Sequence, residues 1–326
     1  MTGVRCTNKF NRFKRLLCVV CIAALFMTGC GKQIENAYNP YSTDYLNGYN
    51  GPDFFASNYA VTNDVNFGQD STSSSVAEGA GAFNVDTHEV LYSQNLFEKL
   101  YPASTTKILT AYIILKNCDL NATTTVSHDA ANPGSSSSVC GLKEGDVITV
   151  NDLLYGLLLE SGNDAAIALA EYYSGSIEAF ADVMNQTAKS LGATNSNFVN
   201  PSGLPDENHY TTVYDMYLIF SNAITLESFV TLISSQTYDA SYTDANGAAV
   251  NKTFKNTCGY LTGAYTAPEN VTVIGGKTGT TGEAGYCLVL LSQNAAGQRI
   301  ISIVYKADGK SNLYMLMNEI LSGFAN

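Results

Sequence analysis

Positive charge is scarce in this chain. Its 17 lysines and arginines stand against 29 aspartates and glutamates, a formal charge of −12. That balance excludes a nucleic-acid binder and disfavours docking on anionic lipid headgroups. Arginine is scarcer still: Arg5, Arg12 and Arg15 lie near the start, and Arg299 is the only other. Metal-ligand spacing is missing from the body of the chain. Cys118, Cys140, Cys258 and Cys287 form no C-x-x-C pair, and His88, His128 and His209 are scattered. No metal and no cofactor is expected. No internal repeat is visible. What is present is a core: 45% hydrophobic residues with 14% charged, over 326 residues. This excludes disorder over the whole length and is enough for one large domain or two small ones.

The first thirty residues belong to a different problem. Arg5, Lys9, Arg12, Lys14 and Arg15 precede the apolar run "LLCVVCIAALF", Leu16 to Phe26. Eleven apolar residues are too few to span a bilayer comfortably, so the pattern reads as an export signal. It ends in "MTGC", which resembles the lipobox of bacterial lipoproteins, with Met27 where leucine is usual. That resemblance implies cleavage after residue 29 and a diacylglyceryl group on Cys30. Two acyl chains suffice for stable anchoring. Without residues 1–29, which carry five basic and no acidic side chains, the formal charge moves from −12 to −17. The expected location is the outer face of the cytoplasmic membrane, lipid-anchored. Export permits disulfides, and the four remaining cysteines allow three full pairings or four buried thiols.

Residues 30–75 are dominated by Asn, Tyr, Ser, Gly and Asp and keep no period of 2 or 3.6. They read as a flexible tether spanning roughly 35–40 Å on average. From residue 76 the pattern changes. "GAFNVDTHEVLYSQN" predicts a hairpin turning at Asp86-Thr87-His88. "TTKILTAYIILKN" is apolar on nearly every side, a buried helix. "NDLLYGLLLESGNDAAIALAEYY" predicts helix, break at Ser161-Gly162-Asn163, helix, with Asp152 and Asp164 early in each, where acids are favoured. "SIEAFADVMNQTAKSLG" and "TTVYDMYLIFSNAI" predict two more helices. "VTVIGGKTG", "AGYCLVLLSQ" and "RIISIVYKA" predict strands, the last two joined by a turn at Gly297-Gln298, and "SNLYMLMNEILSGF" a closing helix. Strands at both chain ends bracketing a helical middle predict one antiparallel sheet with helices on its faces.

The chemistry gathers on three short motifs. Ser104 and Lys107 are three residues apart in "YPASTTK", hence on one helical face. A serine hydroxyl needs an adjacent base, and a lysine can serve if burial and neighbouring cations lower its pKa. Taken alone the motif is weak, since roughly one chance S-x-x-K is expected in such a chain. Ser161 and Asn163 sit in the break between two apolar helices: the hydroxyl can relay a proton, and the amide can bond both sides of a peptide. Lys277-Thr278-Gly279 ends a strand. It adds positive charge, a hydroxyl for a carboxylate, and a glycine past which a substrate backbone can pass closely.

The order S-x-x-K, S-x-N, K-T-G is the signature of penicillin-binding proteins and serine β-lactamases. Together with "LLYGLLLESGNDAAIALAE", "FVNPSGLPDENHYTT" and "GGKTGTTGEAGYCLV", it makes the chain resemble the D-alanyl-D-alanine carboxypeptidases, the low-molecular-weight penicillin-binding family, from about Ala80 onward. The resemblance implies an α/β (α+β) fold of the penicillin-binding transpeptidase and serine β-lactamase type, a five-stranded antiparallel sheet beside a helical region, over 76–326. It implies removal of the terminal D-alanine from peptidoglycan stem peptides, and covalent inhibition by β-lactams. Ser104 would be acylated, Lys107 would take its proton, and Ser161 would relay one to the leaving amine. Asn163 would hold the substrate peptide, Lys277 and Thr278 the terminal carboxylate. Backbone N–H groups of Ser104 and Thr280 would form the oxyanion hole.

Some positions depart from the family. His88 stands at the hairpin turn where glycine is frequent, and "NTCGYL" replaces an "NTN-x-L-L"-like stretch. Relatives often carry an arginine after K-T-G that grips the carboxylate; here Arg299 reads as a strand residue and Lys306 and Lys310 follow. Only 47 residues follow Gly279, so neither the second β-domain nor the C-terminal anchor of many relatives is expected. The rival readings are a serine β-lactamase, and a non-enzymatic penicillin sensor or wall-binding lipoprotein on the same fold. A class A β-lactamase activates its deacylating water with a glutamate, and "NSNFVNPSGL", at the corresponding place, has none.

Overall fold

The computed structural model describes residues 55–134 and 137–325. The export signal and Cys30 lie outside these residues, as does the expected tether up to residue 54.

Five strands form the central antiparallel sheet: β1 (Gly79–Asn84), β2 (Glu89–Gln94), β7 (Thr272–Thr281), β8 (Gly285–Gln293) and β9 (Arg299–Ala307), in the order β2-β1-β9-β8-β7. The two chain ends thus meet in one sheet, as their strand patterns require, and β7 is left at an edge. Period-2 alternation explains how the sheet is covered on both faces. In β8, Val289 and Leu291 join the core of the helical region, while Leu288 and Leu290 join a second core beneath the closing helix. That helix, Lys310–Phe324, contributes Leu313, Leu316, Met317 and Ile320.

The helical region holds α1 (Lys107–Asn117), α2 (Val150–Leu158), α3 (Asn163–Ser174), α4 (Ile177–Ser190), α5 (Val213–Ala223) and α6 (Glu227–Ser234), and the closing helix is α7. Every residue of α1 from Lys107 to Ile114 is buried, as expected of a helix apolar all round. Thr149, Ser176 and Thr212 cap α2, α4 and α5 through their side-chain oxygens. These caps end each helix at a defined residue, and losing one typically costs about 1 kcal/mol. Among the described residues no single helix is long and apolar enough to cross a membrane.

The structure corrects two expectations. There is a second antiparallel sheet, β3-β4-β5-β6, made of Thr123–Thr125, Val147–Thr149, Thr237–Thr243 and Ala249–Lys255. Two of its strands have three residues, and β5 exposes every second side chain. The tether read as reaching residue 75 also ends earlier, because residues from 55 onward pack on the domain. Ala60 is wholly buried; its N–H donates to the Tyr217 hydroxyl at 2.8 Å and its carbonyl accepts from Tyr214 at 3.0 Å. Phe67 bridges to Ser93 beside β2, and Ser73 donates twice to the Glu319 carboxylate of α7. Small residues and tyrosine hydroxyls, which look like linker composition, here satisfy buried backbone groups.

Cys118, Cys140, Cys258 and Cys287 are free thiols, the last three buried. His88 has φ 58°, the left-handed conformation that explains glycine at such a turn.

Candidate active site

Ser104 sits in a tight turn, Ala103–Thr106, that leads into α1, and Lys107 is the first residue of that helix. Hydroxyls beside the motif fasten this turn. Thr105 Oγ1 donates to the Pro102 carbonyl at 2.8 Å and lies 2.8 Å from the Tyr305 hydroxyl. Thr106 Oγ1 is 2.9 Å from His209 Nε2. Since His209 Nδ1 accepts from the Val199 N–H at 3.2 Å, Nε2 carries the proton and donates to Thr106. Burial lowers the pKa of His209 to about 4, so the ring is neutral at ordinary pH.

The Lys107 amine is fully buried and has no carboxylate partner among the described residues. It meets three oxygens: Ser104 Oγ at 3.0 Å, Asn163 Oδ1 at 2.7 Å and the Ser202 carbonyl at 2.7 Å. Two of these can only accept, while the third belongs to a hydroxyl. A neutral amine fits this environment completely: its two N–H groups serve Asn163 and Ser202, and its lone pair faces the serine proton. Burial first, and the Lys277 charge second, hold the Lys107 pKa well below the usual lysine range.

Ser202 belongs to the "FVNPSGL" stretch. Asn200 Oδ1 draws this loop tight by accepting from the N–H groups of Ser202, Gly203 and Leu204. Gly203, at φ 86°, lies so close to the Ala103 carbonyl that no Cβ would fit. The loop thereby presents a carbonyl to Lys107. The sequence carries no direct sign of this, because a backbone oxygen has no residue signature.

Ser161 stands in the break between α2 and α3 with φ 60°, and Ala103, next to the nucleophile, has φ 48°. Left-handed non-glycine residues cost of order 1–3 kcal/mol each and persist where the surrounding fold imposes them. Ser161 Oγ accepts from Lys277 Nζ at 2.9 Å, and the same ammonium donates to the Thr278 carbonyl at 2.8 Å. Burial lowers the pKa of Lys277 to about 7. Asp164, read as a favourable charge early in a helix, does more. Its carboxylate accepts from the N–H groups of Cys140, Gly141 and Leu142, holding the loop that carries Ser138 into the cleft.

Lys277, Thr278, Gly279 and Thr280 lie on the edge strand β7. Gly279 has a reason beyond the one expected. A Cβ there would come within 3.0 Å of the Pro102 carbonyl and the Ser104 nitrogen, so the glycine lets β7 pack on the nucleophile's own turn. Thr278 Oγ1 is 2.8 Å from Thr257 Oγ1, which comes from the divergent "NTCGYL" stretch. Asn256, before it, braces that stretch by donating to the Ser235 carbonyl and accepting from the Cys258 N–H.

Ser104 opens onto a cleft with two arms. One, of about 260 Å³, is lined by Ser161, Thr257, Thr278, Gly279, Thr280 and Lys310 among others. The other, of about 320 Å³, is lined by Asn163, Ser202, Leu204, Thr280, Thr281 and Glu283 among others. Arg299 and Lys306 are committed elsewhere, to Asp86 at 2.7 Å and Glu78 at 2.6 Å. Lys310 is the cation that lines the first arm. It is also the first residue of α7, whose first turn has no acid, a place where a helix dipole disfavours a cation. Thus all eight expected site residues of the domain, Ser104 through Thr280, converge on one cleft. Thr257, the Ser202 carbonyl, Lys310 and the bracing by Asp164 and His209 were not assigned from sequence.

Comparison with known proteins places the whole domain in a family. The family model for D-alanyl-D-alanine carboxypeptidase matches residues 68–309. The chain is 36% identical over 237 residues to the D-alanyl-D-alanine carboxypeptidase DacF of Bacillus subtilis, covering 71% of this chain and 57% of that one. It is 38% identical over 228 residues to DacC of Escherichia coli, covering 67% and 54%. It therefore spans just over half the length of these two relatives. A D-alanyl-D-alanine carboxypeptidase of Streptomyces K15 is 35% identical over 239 residues, covering 70% and 80%. The crystal structure of the Streptomyces K15 DD-transpeptidase superimposes with a TM-score of 0.67 at 32% identity, covering 76% of this chain and 97% of that one. With the predicted sheet, the ordered motifs and this match over most of its length, the chain belongs to the D-alanyl-D-alanine carboxypeptidase family.

Proposed function

We propose that the protein is a serine peptidase that removes the terminal D-alanine from peptidoglycan stem peptides through an ester on Ser104, and that β-lactams acylate the same serine. The observation that carries this reading is the Lys107 amine, buried without a counter-ion and 3.0 Å from Ser104 Oγ. In the first step Ser104 Oγ bonds to the penultimate carbonyl carbon, and its proton passes to the Lys107 lone pair. N–H groups of Ser104 and Thr280 receive the oxyanion, where such donors commonly supply ~3–4 kcal/mol. The peptide C–N bond then breaks. The amine of the departing D-alanine takes a proton from the Ser161–Lys277 pair. Lys107 passes the proton it took from Ser104 through Ser161 to make good the one given up there, which leaves the lysine amine neutral again. Water then opens the ester, giving its proton to Lys107, which returns it to Ser104 Oγ as the C–O bond breaks.

Thr278, Thr257, Lys277 and Lys310 form the pole for the terminal carboxylate. Asn163 directs its amide oxygen to Lys107, so its NH2 group remains for the substrate carbonyl. Incubation with a synthetic peptide ending in D-Ala-D-Ala should release free D-alanine. Ser104→Ala should abolish the release, and Lys310→Ala should raise KM several-fold, about the loss of one exposed ion pair, with a smaller change in kcat. No D-alanine from the folded native chain would overturn the assignment. An unchanged KM would remove Lys310 from the carboxylate pole.

We further propose that lipid on Cys30 holds the exported domain at the outer face of the cytoplasmic membrane. The support is "MTGC" after a short apolar run. Since packing on the domain begins near residue 55, residues 31–54 would serve as the tether. Metabolic labelling with palmitate should mark the native chain and fail for Cys30→Ala; equal labelling of both would refute the anchor.

A further inference from the structure

Outside the catalytic cleft, a groove of about 600 Å³ lies between the start of α2 and strand β5. Asn151 and Asp152 open α2 at the groove, and Ser161 follows the other end of the helix. The nine residues of α2, at roughly 1.5 Å each, put about 13 Å between the two places. The groove is a separate site on the helix that leads to the catalytic break.

Its polar groups are fixed in advance. The Tyr238 hydroxyl donates to Asp152 Oδ1 at 2.6 Å and accepts from Asn151 Nδ2 at 3.1 Å. Thr149 Oγ1 donates to Asp152 Oδ2 at 2.7 Å. The Tyr238 ring lies flat on Tyr155, with centroids 3.5 Å apart. Asp239 Oδ1 accepts from Thr253 at 2.6 Å. These bonds leave Asn151 Oδ1 and Asp239 Oδ2 for a ligand. The side chains of Asn121 and Ser241, also in the lining, bond to no described residue.

The strand adds backbone groups. β5 pairs with β6 from Thr237 to Thr243, but with β4 only at Thr243 and Val147. Where β4 and β5 part, beside Asp239 and Ser241, the edge of β5 is unpaired among the described residues.

This lining selects a ligand class. It holds two carboxylates and no cation, so it repels anions. Only Leu120 and the Tyr238 ring are apolar, too little for the side-chain pockets that an extended peptide needs. What remains is a dense set of amide, carboxylate and hydroxyl groups. Sugar hydroxyls both donate and accept, and an acetamido group offers one N–H and one C=O to a strand edge.

We propose that this groove binds the glycan strand of peptidoglycan through its N-acetylated sugars. The choice of polymer rests on the carboxypeptidase reading; the site itself takes no part in the reaction. Holding the strand here keeps its stem peptides at high local concentration beside Ser104.

The test uses the full chain and a β-1,4-linked tetramer of N-acetylglucosamine, with binding read by isothermal titration calorimetry. D-alanine release from a sugar-free peptide ending in D-Ala-D-Ala is measured on the same preparations. The tetramer should bind the native chain, and cellotetraose, which lacks the acetamido groups, should bind at least ~2-fold more weakly, the loss of one net hydrogen bond. Asn121→Ala combined with Asp239→Ala should weaken tetramer binding by ~5-fold or more, the loss of two. Both side chains are exposed, so this variant should keep its circular dichroism spectrum and its D-alanine release. No tetramer binding to the native chain, equal binding of cellotetraose, or unaltered binding by the variant would overturn the inference. So would displacement of the tetramer by the sugar-free peptide. In each case D-alanine release would leave the carboxypeptidase reading in place. Failure of release, with tetramer binding still weakened in the variant, would overturn that reading and leave the groove as a sugar site.

Discussion

Lys107→Arg should lose acylation by labelled penicillin by ~10²–10⁴-fold, the usual worth of a positioned general base, while the positive charge is retained. An arginine has five N–H donors and no lone pair, and it does not deprotonate in proteins. The native pocket asks for the opposite: two acceptors, Asn163 Oδ1 and the Ser202 carbonyl, and one hydroxyl that must give up its proton. For the same reason acylation by the native protein should slow as pH falls and Lys107 takes up a proton. A purely structural lysine makes a different forecast. Arginine would then keep near-normal acylation, while Lys107→Ala would leave two buried acceptors unpaired and lose about 1–3 kcal/mol for each. The acylation rate and a melting curve, measured on the same preparations, separate the two. Rapid acylation of a folded Lys107→Arg protein would refute the base assignment.

Penicillin should leave a long-lived ester on Ser104, hydrolysed orders of magnitude more slowly than the D-Ala-D-Ala peptide is turned over. With the peptide, D-alanine departs and water enters the vacated first arm, where Lys107 can accept its proton. With penicillin the leaving amine stays attached in the opened ring and obstructs that approach. A second base would restore the rate by ~10²–10⁴-fold, but among the described residues no carboxylate bonds to Ser104, Lys107 or the Asn163 side chain. The loop facing Lys107, residues 195–204, supplies a backbone carbonyl instead of a glutamate. Intact-protein mass spectrometry over time should show the adduct persisting, and should show none on Ser104→Ala. Release of penicilloic acid in well under a second would move the protein to the β-lactamase reading.

Much of this was determined by the sequence alone. Short apolar runs bounded by a turn signal located β8 and β9, and amphipathic spacing located α4 and α5. A helix apolar on all sides identified α1 as interior, and the order of three short motifs named the chemistry. Such patterns are local: they record which face of an element is buried, and that depends on neighbours within a few residues. Tertiary structure decided what local pattern does not encode. It chose Lys310 over Lys306 and Arg299 for the cleft, because an ion pair with Glu78 or Asp86 depends on partners more than 200 residues away. It supplied the Ser202 carbonyl, 95 residues from Lys107, as the second acceptor. It turned residues 55–75 from apparent tether into cover for α5 and β2, and it paired short polar strands into a second sheet. Small and polar residues show no hydrophobic period, so their burial is settled only when a distant surface arrives to bond them.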